Sequence, residues 1–317
     1  MREIVVSTAP EPTVVELHGR AVEAFRSLVH QVPADAWSAP TPCAGWDVRT
    51  LVNHVAAEEL WTVPLLEGRT IAEVGDRFDG DVLGAVPSDV VDSAAKAAVA
   101  AFEEPGAADR TVSLSFGETP AAEYGMQLIA DHVIHGWDLA VATGADARMD
   151  DDLLGALTRW FAEREDLYRG GGAVAERPSV ATRNANEELL VAFGRDPGWT
   201  SAHDLVRRFG AAWEAWDLEA IMGFMADDAV FESTGPAPDG LRVDGAAAIR
   251  AEWEGMFRDT RDASFTFEEA FVSGDRATAR WMFAWTNDDG SAGHVRGVDV
   301  IRVRGGKIAE KLSYVKG

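Results

Sequence analysis

In the stretch "DHVIHGWDLA" (131–140), Asp131 and His135 stand four positions apart. On a helix that spacing puts both side chains on one side, a turn apart. The same side carries Tyr124, Leu128, Leu139 and Ala142, so a carboxylate and an imidazole interrupt a stripe otherwise suited to a core. Earlier in the chain Leu51, His54, Glu58, Trp61 and Leu65 form a second such stripe, interrupted by His54. Burying an unpaired carboxylate is costly, so these groups call for partners. Two helices with axes ~8–10 Å apart can bring them to one point.

A divalent cation is one such partner. Two imidazoles and one carboxylate leave coordination positions open, as catalytic sites do. Zinc suits that set, and so does ferrous iron. A His–Asp hydrogen bond without metal is the other solution, since acid–histidine pairs at this spacing are common. His132 points about 100° away from Asp131 and reads as a packing or surface histidine. Glu58, one turn after His54, is a second partner or a proton acceptor for bound water, or else a partly exposed helix glutamate. Arg49 and Asp138 could pair to brace the two helices. Cys43 lies in a turn and reads as a small buried residue rather than a nucleophile. The glycines at 170–172 lack the Lys-Ser/Thr of a phosphate loop and read as a hinge.

These side chains need helices to position them. Residues 1–12 read as an arm, with Pro10 and Pro12 ahead of a helix capped by Thr13. Asp47 caps a second helix, "VRTLVNHVAAEELWTVPLL", and a third begins at Ser88. Thr119 and Pro120 open a fourth that runs to Gly144, and "DDLLGALTRWFAEREDLY" makes a fifth. Helices with almost no strand signal imply an antiparallel bundle over 13–198. From 199 to 317 the pattern changes. A helical stretch, "SAHDLVRRFGAAWEAWDLEAIMGFM", precedes period-two segments such as "ATARWMFAWTN" and "HVRGVDVIRVR", with one helix, "DGAAAIRAEWEGMF", inserted. This half reads as an α+β domain.

The balance of 53 acidic against 29 basic residues gives a net charge of −24, which opposes binding to nucleic acid or anionic lipid. The apolar runs are too short to span a bilayer. No signal peptide is evident in "MREIVVSTAPEPTVVE", and a single cysteine fits a reducing cytoplasm.

The motifs "TPCAGWDVRTLVNHV", "HGWDLAVATG" and "ELLVAFGRDPGW", in that order, resemble the DinB-like metal-binding domain related to mycothiol-dependent maleylpyruvate isomerase. The resemblance implies an all-α bundle whose metal is held by His54, Asp131 and His135, with glutamate in the isomerase where this chain has Asp131. It also implies mycothiol as a co-substrate. The later half, through "WEAWDLEAIMGFMADDAVFES", "DGAAAIRAEW" and "GVDVIRVRGGKIAEKLSYV", resembles the SnoaL-like, ketosteroid-isomerase-like cone fold of the nuclear-transport-factor-2 type. That family's steroid isomerases use a tyrosine, a base and a protonated acid. Phe209 and Ser233 stand at the first two positions here, and Asp299 alone matches, as an inward-facing acid. Trp281, Phe283 and Trp285 share a strand face and line either a pocket or the core.

The resemblances imply a zinc- and thiol-dependent isomerase or S-transferase acting on a small electrophile, with pairing of two chains through the second domain. Two other classes stand beside it: a non-catalytic metal- or small-molecule-binding stress-response protein, and a cyclase or hydratase whose chemistry sits in the cone domain at Asp299.

Overall fold

A computed structural model describes residues 11–260, 262–287 and 289–316. The expected arm therefore lies, but for its last two residues, outside the described residues. The chain divides into two compact units, Met1–Trp199 and Thr200–Gly317.

The first unit is built on four long helices: α1 (Val14–Val29), α2 (Val48–Leu66), α4 (Pro87–Glu103) and α5 (Ala121–Thr143), with a single turn, α3 (Ile71–Val74), between α2 and α4. Thr13 caps α1 in a reciprocal box with Glu16, and the Asp47 carboxylate caps α2 by accepting from the Thr50 backbone. Gly144 ends α5 in the left-handed conformation (φ 78°) that glycine adopts without penalty. Helices α1 and α2 each pack against α4 and α5. Phe25, Leu51, Val52, Val55, Val91 and Leu139 seal one end of the bundle. Ile129, Val133, Leu157, Phe161 and Leu190 join α5 to α6 (Asp151–Ala162) and α8 (Ala185–Ala192).

Two details depart from the sequence reading. Thr119 and Pro120 do not start the fourth helix. They end a hairpin, β1 (Thr111–Leu114) with β2 (Gly117–Pro120), and Pro120 caps α5 from outside. The fifth helix is broken at Arg164 into α6 and α7 (Glu165–Gly170), where Arg164 is held by Glu123 and the Trp160 carbonyl.

The second unit has α9 (Ser201–Glu214), α10 (Leu218–Gly223) and α11 (Ala246–Asp259) with a six-stranded sheet. Its strands are β3 (Met225–Glu232), β4 (Arg242–Asp244), β5 (Ser264–Ser273), β6 (Arg276–Thr286), β7 (Ala292–Arg304) and β8 (Lys307–Val315), in the order β4-β3-β8-β7-β6-β5. Only β3 and β8 run parallel. The expected single helix over 201–225 is interrupted at Trp216, whose φ of 54° cannot continue it. Helix α9 lies on β5 and β6, and Phe209, Trp213, Trp253, Ile301 and Ile308 fill the space between helices and sheet. No described helix is long and apolar enough to cross a membrane.

Candidate metal centre

His54 comes from the second turn of α2, and Asp131 and His135 from the middle of α5. Each offers one ligand atom, and the three atoms lie within 4.8 Å of one another. Asp131 Oδ2 is 3.8 Å from His54 Nε2, and Asp131 Oδ1 is 4.0 Å from His135 Nε2. Both spacings exceed hydrogen-bonding reach. They also exceed the ~3.4 Å edge of a tetrahedron with bonds of ~2.1 Å, so the three groups would draw together by roughly half an ångström to share an ion. Among the described residues neither His54 nitrogen and neither Asp131 oxygen has a hydrogen bond, so the donors face a shared point without a partner there. A hydrogen-bonded acid–histidine pair does not describe this geometry.

The site is not sealed. The side chains of His54 and Asp131 are 31% and 38% exposed while that of His135 is 10% exposed, so Asp131 is partly open to solvent rather than enclosed in the core the stripe implied. Burial pushes the Asp131 carboxyl up, but His54 and His135 more than offset this and hold it below the usual carboxylate range. Burial likewise opposes charge on His54, while Asp131 and Glu58 outweigh it and raise its pKa. Glu58 is half-buried, and burial together with the Asp131 charge raises its carboxyl above the ordinary range. The Trp46 ring lies 5.0 Å from that of His54 and 5.7 Å from that of His135, walling one side. A tight turn places it: the Thr41 backbone N–H and hydroxyl both donate to the Trp46 carbonyl, and Pro40 bridges Asp47 just before α2 begins.

A second cluster lies behind His135. Its Nδ1 is 3.0 Å from Asp138 Oδ2, and Asp138 is fully buried. Arg195 grips that carboxylate, with Nε 3.0 Å from Oδ1 and Nη2 2.9 Å from Oδ2. The Cys43 thiol donates to Asp138 Oδ2 at 3.1 Å and accepts from Arg195 Nη2 at 3.1 Å. Cys43, His135 and Asp138 also lie close enough to share an ion. The Arg195 guanidinium already occupies that neighbourhood, and burial with the Asp138 charge pushes the thiol up to about 12. A cation there would face a fixed positive charge and a neutral sulfur, so the His54–Asp131–His135 group is the better candidate.

Arg49 does not brace the ligand helices through Asp138. It pairs with Asp81 at 2.7 Å and with the Gly84 carbonyl, because Asp138 points inward to Arg195. His132 is a packing residue but no surface one: it is buried, with Nε2 2.7 Å from Glu59 Oε1 and Nδ1 2.6 Å from the Leu128 carbonyl. Arg195, Trp46 and Glu59 were not legible as site or core partners. The signal for Arg195 was present in "FGRDPGW", a lone cation in a turn after an apolar helix. The glycines at 170–172 close α7, with Gly172 at φ 76°.

In the second unit, Asp299 faces inward as expected, but not alone. Lys311 Nζ is 3.0 Å from its Oδ2 and Ser313 Oγ donates to its Oδ1 at 2.7 Å. Phe209 is buried in the core, whereas Ser233 lies in a turn, donating to the Gly235 carbonyl. Trp281 is buried, and Phe283 stacks against Trp216 and Trp285.

The family described as "Mycothiol maleylpyruvate isomerase N-terminal domain" matches residues 18–140, and the "SnoaL-like domain" family matches 206–311. Uncharacterized proteins from two strains of Mycobacterium tuberculosis are 32% identical over 187 residues, covering 56% of this chain and 95% of theirs. Among solved structures, an NTF2-like protein of unknown function from Mesorhizobium loti is 39% identical over 37% of this chain and 91% of its own, with a TM-score of 0.32. A Mycobacterium tuberculosis protein in complex with estradiol-17beta-hemisuccinate is 28% identical over 36% of this chain and 92% of its own, also at 0.32.

Proposed function

This chain belongs to the mycothiol maleylpyruvate isomerase N-terminal domain family, followed by a SnoaL-like domain, and from that premise we propose that it is a divalent-metal protein of the cytoplasm acting as a thiol-dependent isomerase or S-transferase on a small electrophile. The single observation that supports this most is the convergence of His54, Asp131 and His135 within 4.8 Å, at spacings too long for bonds among themselves.

Two imidazoles and one carboxylate favour zinc, with His54 and Asp131 partly open to solvent, the side from which a substrate would reach the ion. A bound cation supplies a Lewis acid with vacant positions, able to lower the pKa of a ligated thiol such as mycothiol. Glu58, its carboxyl raised by burial and by the Asp131 charge, holds or accepts a proton beside the site. Trp46 excludes water from one side of the two imidazoles. The SnoaL-like unit serves as a binding or pairing module for two chains. Its Asp299 is engaged by Lys311 and Ser313, which leaves it poorly suited to act as the acid of a cyclase or hydratase.

Elemental analysis of the purified protein beside His54→Ala and His135→Ala tests this, joined to a screen of electrophiles with and without mycothiol. One equivalent of divalent metal in the parent, lost in both variants together with thiol-dependent turnover, is the expected result. Turnover that survives His135→Ala overturns it.

A further inference from the structure

We propose that Asp138, clamped by Arg195, is a positioning residue that sets how His135 presents its ring to the metal centre. The inference rests on the metal reading of His54, Asp131 and His135, and concerns residues that touch no metal themselves.

A histidine can offer either nitrogen, and the group facing the other nitrogen decides which. In His135, Nε2 points toward Asp131 and Nδ1 toward Asp138 Oδ2 at 3.0 Å. An ionised carboxylate only accepts hydrogen bonds, so Nδ1 carries the proton and the Nε2 lone pair faces His54 and Asp131. Such an outer carboxylate fixes the ring and makes it a better ligand.

A fully buried Asp138 would be costly unless its charge were matched. Arg195 matches it with two donors in a fork, a geometry that a lysine cannot reproduce. Arg195 is itself tied by Nη1 to the Phe193 carbonyl at 3.1 Å, and the Cys43 thiol completes the ring around Oδ2. The turn carrying Arg195 depends on Gly194, at φ 73°, where an added Cβ would come within 2.7 Å of the Ala175 carbonyl oxygen. The grip on the metal histidine thus originates in residues 173–199. That segment holds none of the three ligands and lies beyond the 18–140 matched by the family. The geometry gives it a task in metal retention.

The test uses the full chain, stripped by chelation and loaded with cobalt(II), comparing the parent with Asp138→Asn, Arg195→Met and Arg195→Lys. Three quantities are read at one pH: cobalt affinity by competition, the visible cobalt spectrum, and the His135 tautomer from long-range nitrogen-15 spectra. Asp138→Asn should weaken cobalt binding about 10–100-fold, alter the cobalt bands and remove the single Nδ1–H tautomer. Arg195→Met should weaken binding similarly, and Arg195→Lys should recover part of the loss. A merely structural role would lower the unfolding temperature while leaving tautomer and spectrum alone. If Asp138→Asn does not fold, the Arg195 pair carries the test. Parent-like affinity, spectrum and tautomer in the folded variants overturn the proposal. Cobalt binding by the parent that is absent or indifferent to His54→Ala overturns the metal reading, and this proposal with it.

Discussion

Lys311 Nζ sits 3.0 Å from Asp299 Oδ2 inside the second unit, with both side chains almost closed to solvent. The ammonium also donates to Ser313 Oγ and lies over the Phe231 ring at 5.1 Å. Breaking such a pair on one side leaves an uncompensated buried charge, whereas removing both charges is far milder. Lys311→Met should therefore cost about 3–5 kcal/mol of stability. Lys311→Met with Asp299→Leu should regain most of it. Urea unfolding of the parent, both single variants and the double checks this, and additive losses would refute the coupling.

The ligand set makes a sharper prediction at Asp131. The resemblance implies glutamate at this position in the isomerase, and the Asp131 side chain is 38% exposed, so a longer arm is not closed in on every side. Asp131→Glu should retain the metal, while Asp131→Ala should lose it. Elemental analysis after gel filtration distinguishes them, and full metal content in Asp131→Ala would remove Asp131 from the set.

His18 predicts a pH dependence. It is fully buried, with no hydrogen-bond partner at either nitrogen among the described residues, against Phe102 of α4 and His132 of α5. Burial first, and then His132, lower its pKa to about 3. Unfolding restores the ordinary value near ~6.5. Between these values the unfolded chain binds the extra proton, so stability is present above ~6.5 and falls away as the pH drops toward 3. His18→Leu should be at least as stable at pH 7, and its acid unfolding should begin at lower pH. Coincident acid transitions followed by circular dichroism would contradict this.

A glycine on α9 carries a packing prediction. A Cβ at Gly210 would lie 2.4 Å from Cδ2 of the Phe267 ring on β5. Alanine favours a helix over glycine by ~1 kcal/mol, but overpacking costs about 1–3 kcal/mol. The clash should prevail, so Gly210→Ala is expected to destabilise and Phe267→Leu to relieve it. Thermal melts of the single and double variants decide the sign.

Much of this architecture follows from local pattern. Thr13 and Asp47 announce the starts of α1 and α2 because capping is chemistry between residues three apart. Period-two runs mark the strands of the second unit, and the step of four from Asp131 to His135 puts both on one side of α5. The hairpin at 111–120 leaves no such mark, because its two strands are four residues each, too short for a period to show.

Other features are contacts between elements distant in the chain, which no local period encodes. Sequence alone allows Asp138 to pair with Arg49, yet it belongs to Arg195, 57 residues further on. His132 looked idle until Glu59, 73 residues earlier, supplied the carboxylate that lets it be buried. Asp299 read as a lone acid because its neighbour on β8, Lys311, becomes one only through strand pairing. Periodicity can say which face a polar side chain occupies. Which opposite charge meets it there is settled only when the helices and strands dock, because desolvation makes each buried charge take a partner that the packing places within reach.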